Sequence, residues 1–492
     1  MEFGEPTLTL GQTLWLLSPE LALLLAGLLV MGLDALHPHH EDKRWPPYVA
    51  LAGLGVALIA TVTLWGCDTE VLYVLSCDGF ALIVKAVALV AVGFVVLLSD
   101  VYIRAHTRFQ GEFYALLLFA AMAICLLGGA SNLIMVFLAF DFLSIVSYIL
   151  TGFLRDDRRS AEAAVKYFLY GAALSALMLY GMSWFYGLTG STDLATIASQ
   201  LMKMGSSTRV IALPALVLMM AGFGFKIGAV PFHQWAPDAY EGAPTPVTAF
   251  LSVGPKVGGF AVILRVLLTA IPLQLGDLAM DWHALLLAVS VVTMTVGNLV
   301  ALWQTNIKRL LAYSSIAQAG YVLIGVVAAS PRGVSAVLLY LAAYLFANLG
   351  VFAAVIAFSN QTGSDSVEDY AGLSKRAPAV ALVMIVCLLS LTGIPPTAGF
   401  VGKLWLFSAA IERGLVWLAV VGVLNGVISL GYYWTIMRAM YFAPAEDDER
   451  LITSPAVGVA LGVGLVGVLV VGVFPNVLVP LIETAAQTFF AG

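Results

Sequence analysis

The sequence predicts an all-α membrane protein with about fourteen transmembrane helices. Of its 492 residues, 61% are hydrophobic and 11% are charged, whereas soluble domains have roughly half apolar and a quarter charged residues. Apolar stretches of about 20 residues, long enough to cross a bilayer core as a helix, recur throughout the chain with short polar gaps. This pattern excludes a water-soluble fold, and we expect a single polytopic membrane domain over residues 1–492.

The hydrophobic pattern also places each span. In chain order the expected spans are 17–36, 47–66, 79–99, 113–130, 132–154, 162–187, 210–232, 244–270, 282–303, 308–329, 333–360, 379–405, 414–441 and 453–480. Since their number is even, both termini should lie on one side of the membrane. The stretch before the first span lacks Lys and Arg, unlike a cleavable secretory signal, so we expect the first helix to be retained.

Basic residues in the loops predict the orientation, because translocation disfavours positive charge. The loops on one side hold thirteen Lys and Arg residues, namely Lys43, Arg44, Arg104, Arg108, Arg155, Arg158, Arg159, Lys308, Arg309, Lys375, Arg376, Arg438 and Arg450. The loops on the other side hold four, namely Lys203, Arg209, Arg332 and Arg413. Both termini should therefore face outward, into the periplasm or a lumen.

Two spans are interrupted by proline, the seventh by Pro231 and Pro237 and the twelfth by Pro395 and Pro396. Proline breaks the helical hydrogen-bond ladder, which is tolerated at membrane depth only where the backbone is buried in protein or meets water. Broken helices at matching places in two halves indicate an ion pathway. Spans four to eight and nine to thirteen would then form two inverted five-helix repeats, 113–270 and 282–441.

Buried lysines are the residues that most need an explanation. A charge at mid-bilayer costs roughly 2.5–3.5 kcal/mol, and the spans contain Lys166, Lys226, Lys256 and Lys403. Basic residues outnumber acids in the interior, so they cannot all be paired. Desolvation disfavours the ammonium form of an unpaired lysine, which makes such a residue a candidate reversible proton carrier.

Acidic residues near these lysines are candidate partners. We expect Asp141, near the middle of the fifth span, to hold Lys166 in its charged form and to release it when the local field changes. Glu162 precedes Lys166 by four residues on one helix face, and it could simply hold that lysine as a structural pair.

Other charged positions in the spans permit simpler interpretations. His233 follows the break in the seventh span, and both it and Arg265 could equally be functional or form structural contacts. For Lys85, near the outer end of the third span, we expect snorkelling to the membrane interface.

Several other function classes find little support in the sequence. The net charge of −6 is scattered, and no basic stripe suggests nucleic acid. The four cysteines show no metal-ligand spacing, although Cys67 and Cys77 bracket an outward loop and could form a disulfide. No polar gap is large enough for a soluble domain, so any redox cofactor should lie on other subunits.

Three long motifs carry a resemblance to a known family. They are KIGAVPFHQWAPDAYEGAPTPVTAFLSVGPK at 226–256, ALWQTNIKRLLAYSSIAQAGYVLIG at 301–325 and LLSLTGIPPTAGFVGK at 388–403. In order and content they resemble the antiporter-like membrane subunits of complex I, most closely the N-type members, and the similarity covers essentially the whole chain. The resemblance implies fourteen helices, two inverted repeats, a bacterial plasma membrane or thylakoid location, and a hydrated proton axis at mid-membrane.

The resemblance also assigns roles to particular residues. It implies proton transfer by Lys226 on the broken seventh helix, by Lys256 on the eighth and by Lys403 on the twelfth. Asp141 stands where the family usually has glutamate, and its shorter side chain puts the pairing distance to Lys166 in doubt. Glu162 and His233 would support these groups.

The resemblance places electron transfer outside this chain. The expected function is a non-redox pumping subunit of a quinone-reducing complex whose other subunits hold FMN, iron–sulfur clusters and quinone and take electrons from NADH or ferredoxin. The alternatives are a subunit of the related multisubunit cation/proton antiporters and a structural spacer that has lost pumping. The complete set of buried charges argues against the spacer.

Overall fold

The computed structural model describes residues 8–37, 43–204, 209–445 and 450–490. The first half of the chain forms helices α1 (Leu10–Leu16), α2 (Ser18–Leu36), α3 (Pro46–Thr63), α4 (Gly79–His106), α5 (Gln110–Gly129), α6 (Leu133–Thr151), α7 (Arg158–Thr189), α8 (Leu194–Met204), α9 (Arg209–Ile227), α10 (Trp235–Gly242) and α11 (Thr245–Arg265). The second half forms α12 (Asp277–Ala301), α13 (Ile307–Ala328), α14 (Pro331–Thr362), α15 (Leu373–Arg376), α16 (Pro378–Thr392), α17 (Ala398–Glu412), α18 (Val416–Phe442), α19 (Pro455–Val473) and α20 (Val479–Ala486).

Within the described ranges, thirteen helical segments are long and apolar enough to cross a membrane. They coincide with thirteen of the fourteen predicted spans. The remaining predicted span, 379–405, is divided between α16 and α17, which contain 15 residues each. The prediction of an all-α membrane protein with a broken twelfth span is therefore confirmed. The seventh span is α9, which ends at Ile227, and the short helix α10 follows after the Pro231 segment.

A small β-hairpin lies between α3 and α4. Strand β1 (Thr69–Val71) pairs antiparallel with β2 (Leu75–Cys77), and Thr69 lies opposite Cys77. All four cysteines are free thiols, so the bond between Cys67 and Cys77 that the sequence left open is not formed in this structure.

Three helices form the centre of the bundle. Every residue of α11 is buried, and so are most residues of α13 and α14. The peripheral helices α7 and α18 instead expose large apolar side chains, such as Leu169 and Val427. The charges carried by α11 and its neighbours are therefore shielded from the lipid by the rest of the bundle.

The break between α16 and α17 requires glycine at Gly393. This residue has φ +95°, a left-handed conformation that side chains disfavour. A Cβ atom there would also lie 2.9 Å from Cδ of Lys403. The glycine thus ends α16 and leaves room for a lysine side chain against the end of that helix.

Candidate functional site

Lys226 lies next to the end of α9 and is 1% exposed. Its Nζ donates to Oγ of Ser144 at 2.6 Å and to the carbonyl of Phe140 at 3.4 Å, both on α6. The same Nζ lies 4.8 Å from the centroid of the Phe140 ring. Asp141 is the carboxylate that acts on this ammonium group, and it does so through space rather than through a hydrogen bond. The cation is therefore held mainly by dipoles and an aromatic face.

Lys256 projects from the middle of α11 towards α13. Its Nζ donates to Oγ of Ser315 at 2.5 Å and also to the carbonyl of that residue. The hydroxyl of Tyr344 donates to the same Ser315 Oγ at 2.9 Å, and the hydroxyl of Tyr240 lies 3.3 Å from it. All of these groups are neutral, so hydroxyl and carbonyl dipoles replace the hydration shell of the lysine.

Lys403, on α17, reaches across the break in the twelfth span. Its Nζ donates to the carbonyls of Leu391 at 3.0 Å and Thr392 at 2.8 Å. These are terminal carbonyls of α16, which lack partners inside the helix and carry the negative end of its dipole. The ring of Tyr321 lies 4.3 Å from the same Nζ. The helix break thereby creates a site for a positive charge.

Lys166 is placed differently from the sequence prediction. Its side chain is 49% exposed and pairs with Glu162 at 2.8 Å and Asp238 at 2.9 Å. The predicted partnership with Asp141 is wrong, because Lys166 lies on the exposed face of α7 with Glu162, whereas Asp141 acts on Lys226. The contact between Glu162 and Lys166 that the alternative expected is present.

The Lys166 contacts extend into a surface network. Arg309 donates to Asp238 at 2.9 Å and to Glu241 at 2.8 Å. Burial alone would raise the pKa of Asp238, but hydrogen bonds from Lys166 and Arg309 outweigh it, so this pKa lies below its usual value. These groups line an open cavity of about 270 Å³. They form an exposed ionic cluster on the surface of this chain.

His233 lies in the segment that joins α9 to α10. Its Nδ1 is buried and has no hydrogen-bond partner among the residues that the structure describes. The structure thus places His233 beside the break that follows α9.

The buried ion pairs outside the lysine series include those of Lys85 and Arg265. Lys85 pairs with Glu20 at 2.7 Å, with both side chains no more than 7% exposed. The prediction that Lys85 snorkels is therefore wrong. The sequence held a signal for this pair, since Glu20 and Lys85 both lie near the outer ends of predicted spans. Arg265 pairs with Asp78 at 2.6 Å, which confirms its structural interpretation.

The described part of the chain contains no candidate metal-binding site. No group of three or more His, Cys, Asp or Glu side chains there is arranged to hold a metal ion. Lysine amines, hydroxyls and carbonyl dipoles line the interior, and a lysine amine can bind a proton.

The fold and these buried lysines define a class of polytopic membrane proteins with broken, lysine-bearing helices. Residues 130–429 match the family model described as NADH:quinone oxidoreductase/Mrp antiporter, TM. The chain belongs to this family, which confirms the resemblance predicted from the three motifs.

Individual relatives are similar over nearly the whole chain. NADH-quinone oxidoreductase subunit N of Trichlorobacter lovleyi is 42% identical over 478 residues, covering 95% of this chain and 96% of that protein. NAD(P)H-quinone oxidoreductase subunit 2 of Trichodesmium erythraeum is 44% identical over 436 residues, covering 88% and 81%.

Solved structures agree with this assignment. A chain of respiratory complex I from Thermus thermophilus with bound aureothin is 31% identical, with a TM-score of 0.79 and coverage of 94% of this chain and 98% of that chain. A chain of the Mrp complex from Dietzia sp. has a TM-score of 0.83 and covers 98% of both chains, but its identity of 21% shows only a shared fold.

Proposed function

We propose that this chain is the proton-translocating subunit N of a membrane-bound quinone oxidoreductase and contains no redox centre itself. The observation that carries the proposal is that Lys226, Lys256 and Lys403 are buried and held by hydroxyl and carbonyl groups rather than by direct carboxylate partners. A lysine in such surroundings can exist as ammonium or as amine without leaving an unpaired carboxylate behind. It can therefore take up and release a proton.

The energetic argument separates these lysines from structural ion pairs. Each mid-membrane charge costs roughly 2.5–3.5 kcal/mol, and a fixed ion pair would offset that cost through an acid in direct contact. Lys85 and Arg265 have such acids. The different surroundings of Lys226, Lys256 and Lys403 support a transport role for these three.

The proposal also assigns a role to each of the other charged residues of the site. Asp141 adjusts the charge state of Lys226, and the surface cluster of Lys166, Glu162 and Asp238 is a hydrated point of proton entry or a contact for a neighbouring subunit. The two inverted units, 113–270 and 282–441, remain part of the proposal, and each contains one broken span.

We further propose that other subunits supply the electron-transfer chemistry. They would hold FMN, iron–sulfur clusters and quinone and accept electrons from NADH or ferredoxin. The names of the relatives from Trichlorobacter lovleyi and Trichodesmium erythraeum, which refer to NADH-quinone and NAD(P)H-quinone oxidoreductases, support this division of labour.

A subunit of a cation/proton antiporter is the second candidate function, since the Mrp complex chain shares the fold. Isolation of the native assembly in mild detergent distinguishes the two. We expect the chain to co-purify with flavin and iron–sulfur absorbance and with quinone reductase activity. A cofactor-free assembly that exchanges cations for protons would contradict the proposed function.

We also propose that both termini face the periplasm or lumen. A cysteine introduced at Arg155 should react with an impermeant thiol reagent only from the inner side, and one at Lys203 only from the outer side. Cys67 is replaced by serine in both variants, because it is partly exposed while the other three native cysteines are buried. Labelling of the Arg155 position from outside sealed, right-side-out vesicles would reverse this orientation.

A further inference from the structure

Lys308 is a buried lysine outside the set of proposed proton carriers. It lies in the first turn of α13 and is 5% exposed. The helix dipole disfavours a cation at this end of a helix, and the first turn of α13 contains no acidic residue to offset that effect. The groups that stabilise the Lys308 ammonium must therefore come from other segments.

Two groups from other segments lie close to the ammonium of Lys308. Its Nζ donates to the carbonyl of Ala243 at 3.1 Å and lies 3.5 Å from Oδ2 of Asp365, in the loop after α14. Ala243 is the C-cap residue of α10. Carbonyl groups at the end of a helix lack partners inside the helix and carry the negative end of its dipole. Lys308 therefore caps the C terminus of α10.

The next residue of α13 contacts the preceding turn of the same short helix. Arg309 Nη1 donates to Oδ1 of Asp238 at 2.9 Å and to Oε2 of Glu241 at 2.8 Å. Since these pairs are partly exposed, each contributes less than a buried contact such as that of Lys308. Helix α10 has only eight residues, and helices shorter than about 12–15 residues are marginal on their own. Its position therefore depends on such contacts.

Helix α10 in turn contacts the surroundings of two proposed carriers. The indole of Trp235 donates to the carbonyl of Phe225 at 3.0 Å, and Phe225 directly precedes Lys226 on α9. The hydroxyl of Tyr240 lies 3.3 Å from Oγ of Ser315, the hydroxyl that binds the proposed carrier on α11. A displacement of α10 would therefore change the surroundings of both lysines.

We propose that Lys308 is a positioning residue, which together with Arg309 holds α10 against α13 and thereby keeps the groups around Lys226 and Lys256 in place. Lys308 carries no proton in this role. It supplies a positive charge and a hydrogen-bond donor at the end of α10, and arginine can supply both. This inference rests on the proposed function and adds to it two residues that act through α10.

The test uses the complete purified complex with Lys308→Met and Lys308→Arg variants. Since misplacement by about 1 Å can cost roughly 10²-fold in rate, we expect assembled Lys308→Met to lose about tenfold or more in quinone reduction and proton pumping. The KM for quinone should not change. Backbone hydrogen exchange of the peptide 235–243, measured by mass spectrometry, should accelerate about tenfold or more, because α10 loses a charged hydrogen bond. Lys308→Arg should retain most of the activity and the wild-type exchange.

Lys43→Met is the matched control. Lys43 is 4% exposed and likewise donates to backbone carbonyls at the end of a helix, those of Asp34 at 3.3 Å and His37 at 3.4 Å. That helix is α2, which packs mainly on α3 and α5. The substitution should lower the amount of complex, but the assembled fraction should keep the wild-type turnover and the wild-type exchange of α10.

Three outcomes would overturn the positioning role. Assembled Lys308→Arg that is inactive with unchanged α10 exchange would mean that the residue must release its proton. Wild-type turnover in assembled Lys308→Met would mean that the contact with Ala243 is not needed. If Lys308→Met does not assemble, Arg309→Gln decides, because it removes only the partly exposed pairs: we expect faster α10 exchange and lower turnover, and wild-type values for both would contradict the inference.

Failure of the proposed function would be seen in a different variant. Normal pumping by assembled Lys226→Met would refute the lysine mechanism, whatever the behaviour of the Lys308 variants. The exchange of α10 does not depend on proton transfer, so it reports on the contact with Lys308 in either case. The two failures are therefore distinguishable.

Discussion

Replacement of Lys226 by methionine should stop quinone reduction and proton pumping together while leaving the complex assembled. Methionine retains an apolar stem that can pack against the Phe140 ring, and the Ser144 hydroxyl loses only one hydrogen-bond donor. The titratable amine is lost. Because a tightly coupled machine cannot turn over with one proton step blocked, we expect both rates to fall by about 10²-fold or more.

The Lys226→Arg variant sharpens this prediction. Arginine keeps the positive charge but cannot release its proton near neutral pH, so the site would remain permanently charged and the variant should also be inactive. Both variants are compared by the amount of assembled complex, by quinone reductase rate and by proton uptake into sealed vesicles. Fully assembled Lys226→Arg complex that pumps at the wild-type rate would remove Lys226 from the set of proton carriers.

The spans and their breaks could be predicted because they depend on local properties of the sequence. Length and hydropathy locate helices such as α4 and α14, and proline marks the breaks beside Lys226 and Lys403. These features need no knowledge of how one helix lies against another. The positions of the buried lysines along the chain could be predicted for the same reason.

The partners of the lysines could not be predicted, because they depend on the rotation of each helix about its axis. Asp141 and Lys166 lie on consecutive spans, yet α7 directs Lys166 to its exposed face and towards Asp238, which is 72 residues further along the chain. The ligands of Lys403 are backbone carbonyls, which carry no signature of their own in the sequence.

Lys226, the proposed proton carrier, and Lys85 differ in their contacts with carboxylates. Both are buried lysines on membrane helices, but Lys85 is in direct contact with Glu20, whereas Asp141 acts on Lys226 only through space. A carboxylate in contact holds the ammonium form, while dipoles and a more distant acid stabilise it less. The order of substitution effects should therefore be reversed at Lys85, where arginine should be tolerated and methionine should not.

Replacement of Glu20 by leucine should deplete the assembled complex from the membrane. The substitution leaves the Lys85 ammonium buried between α2 and α4 without its carboxylate, and breaking a buried pair in this way costs about 3–5 kcal/mol. Since folded proteins are stable by only about 5–15 kcal/mol, this loss should greatly reduce the thermal stability and yield of the complex. Immunoblots of solubilised membranes and the melting temperature of the purified complex measure both quantities.

The double variant with Glu20→Leu and Lys85→Met tests whether this pair is purely structural. Removing both charges replaces the ion pair by apolar packing, which is often neutral or stabilising at buried sites. Assembly should therefore return to nearly the wild-type level, and pumping should return with it, because Lys226, Lys256 and Lys403 are untouched. A double variant that assembles fully but no longer pumps would instead place Glu20 and Lys85 on the proton route.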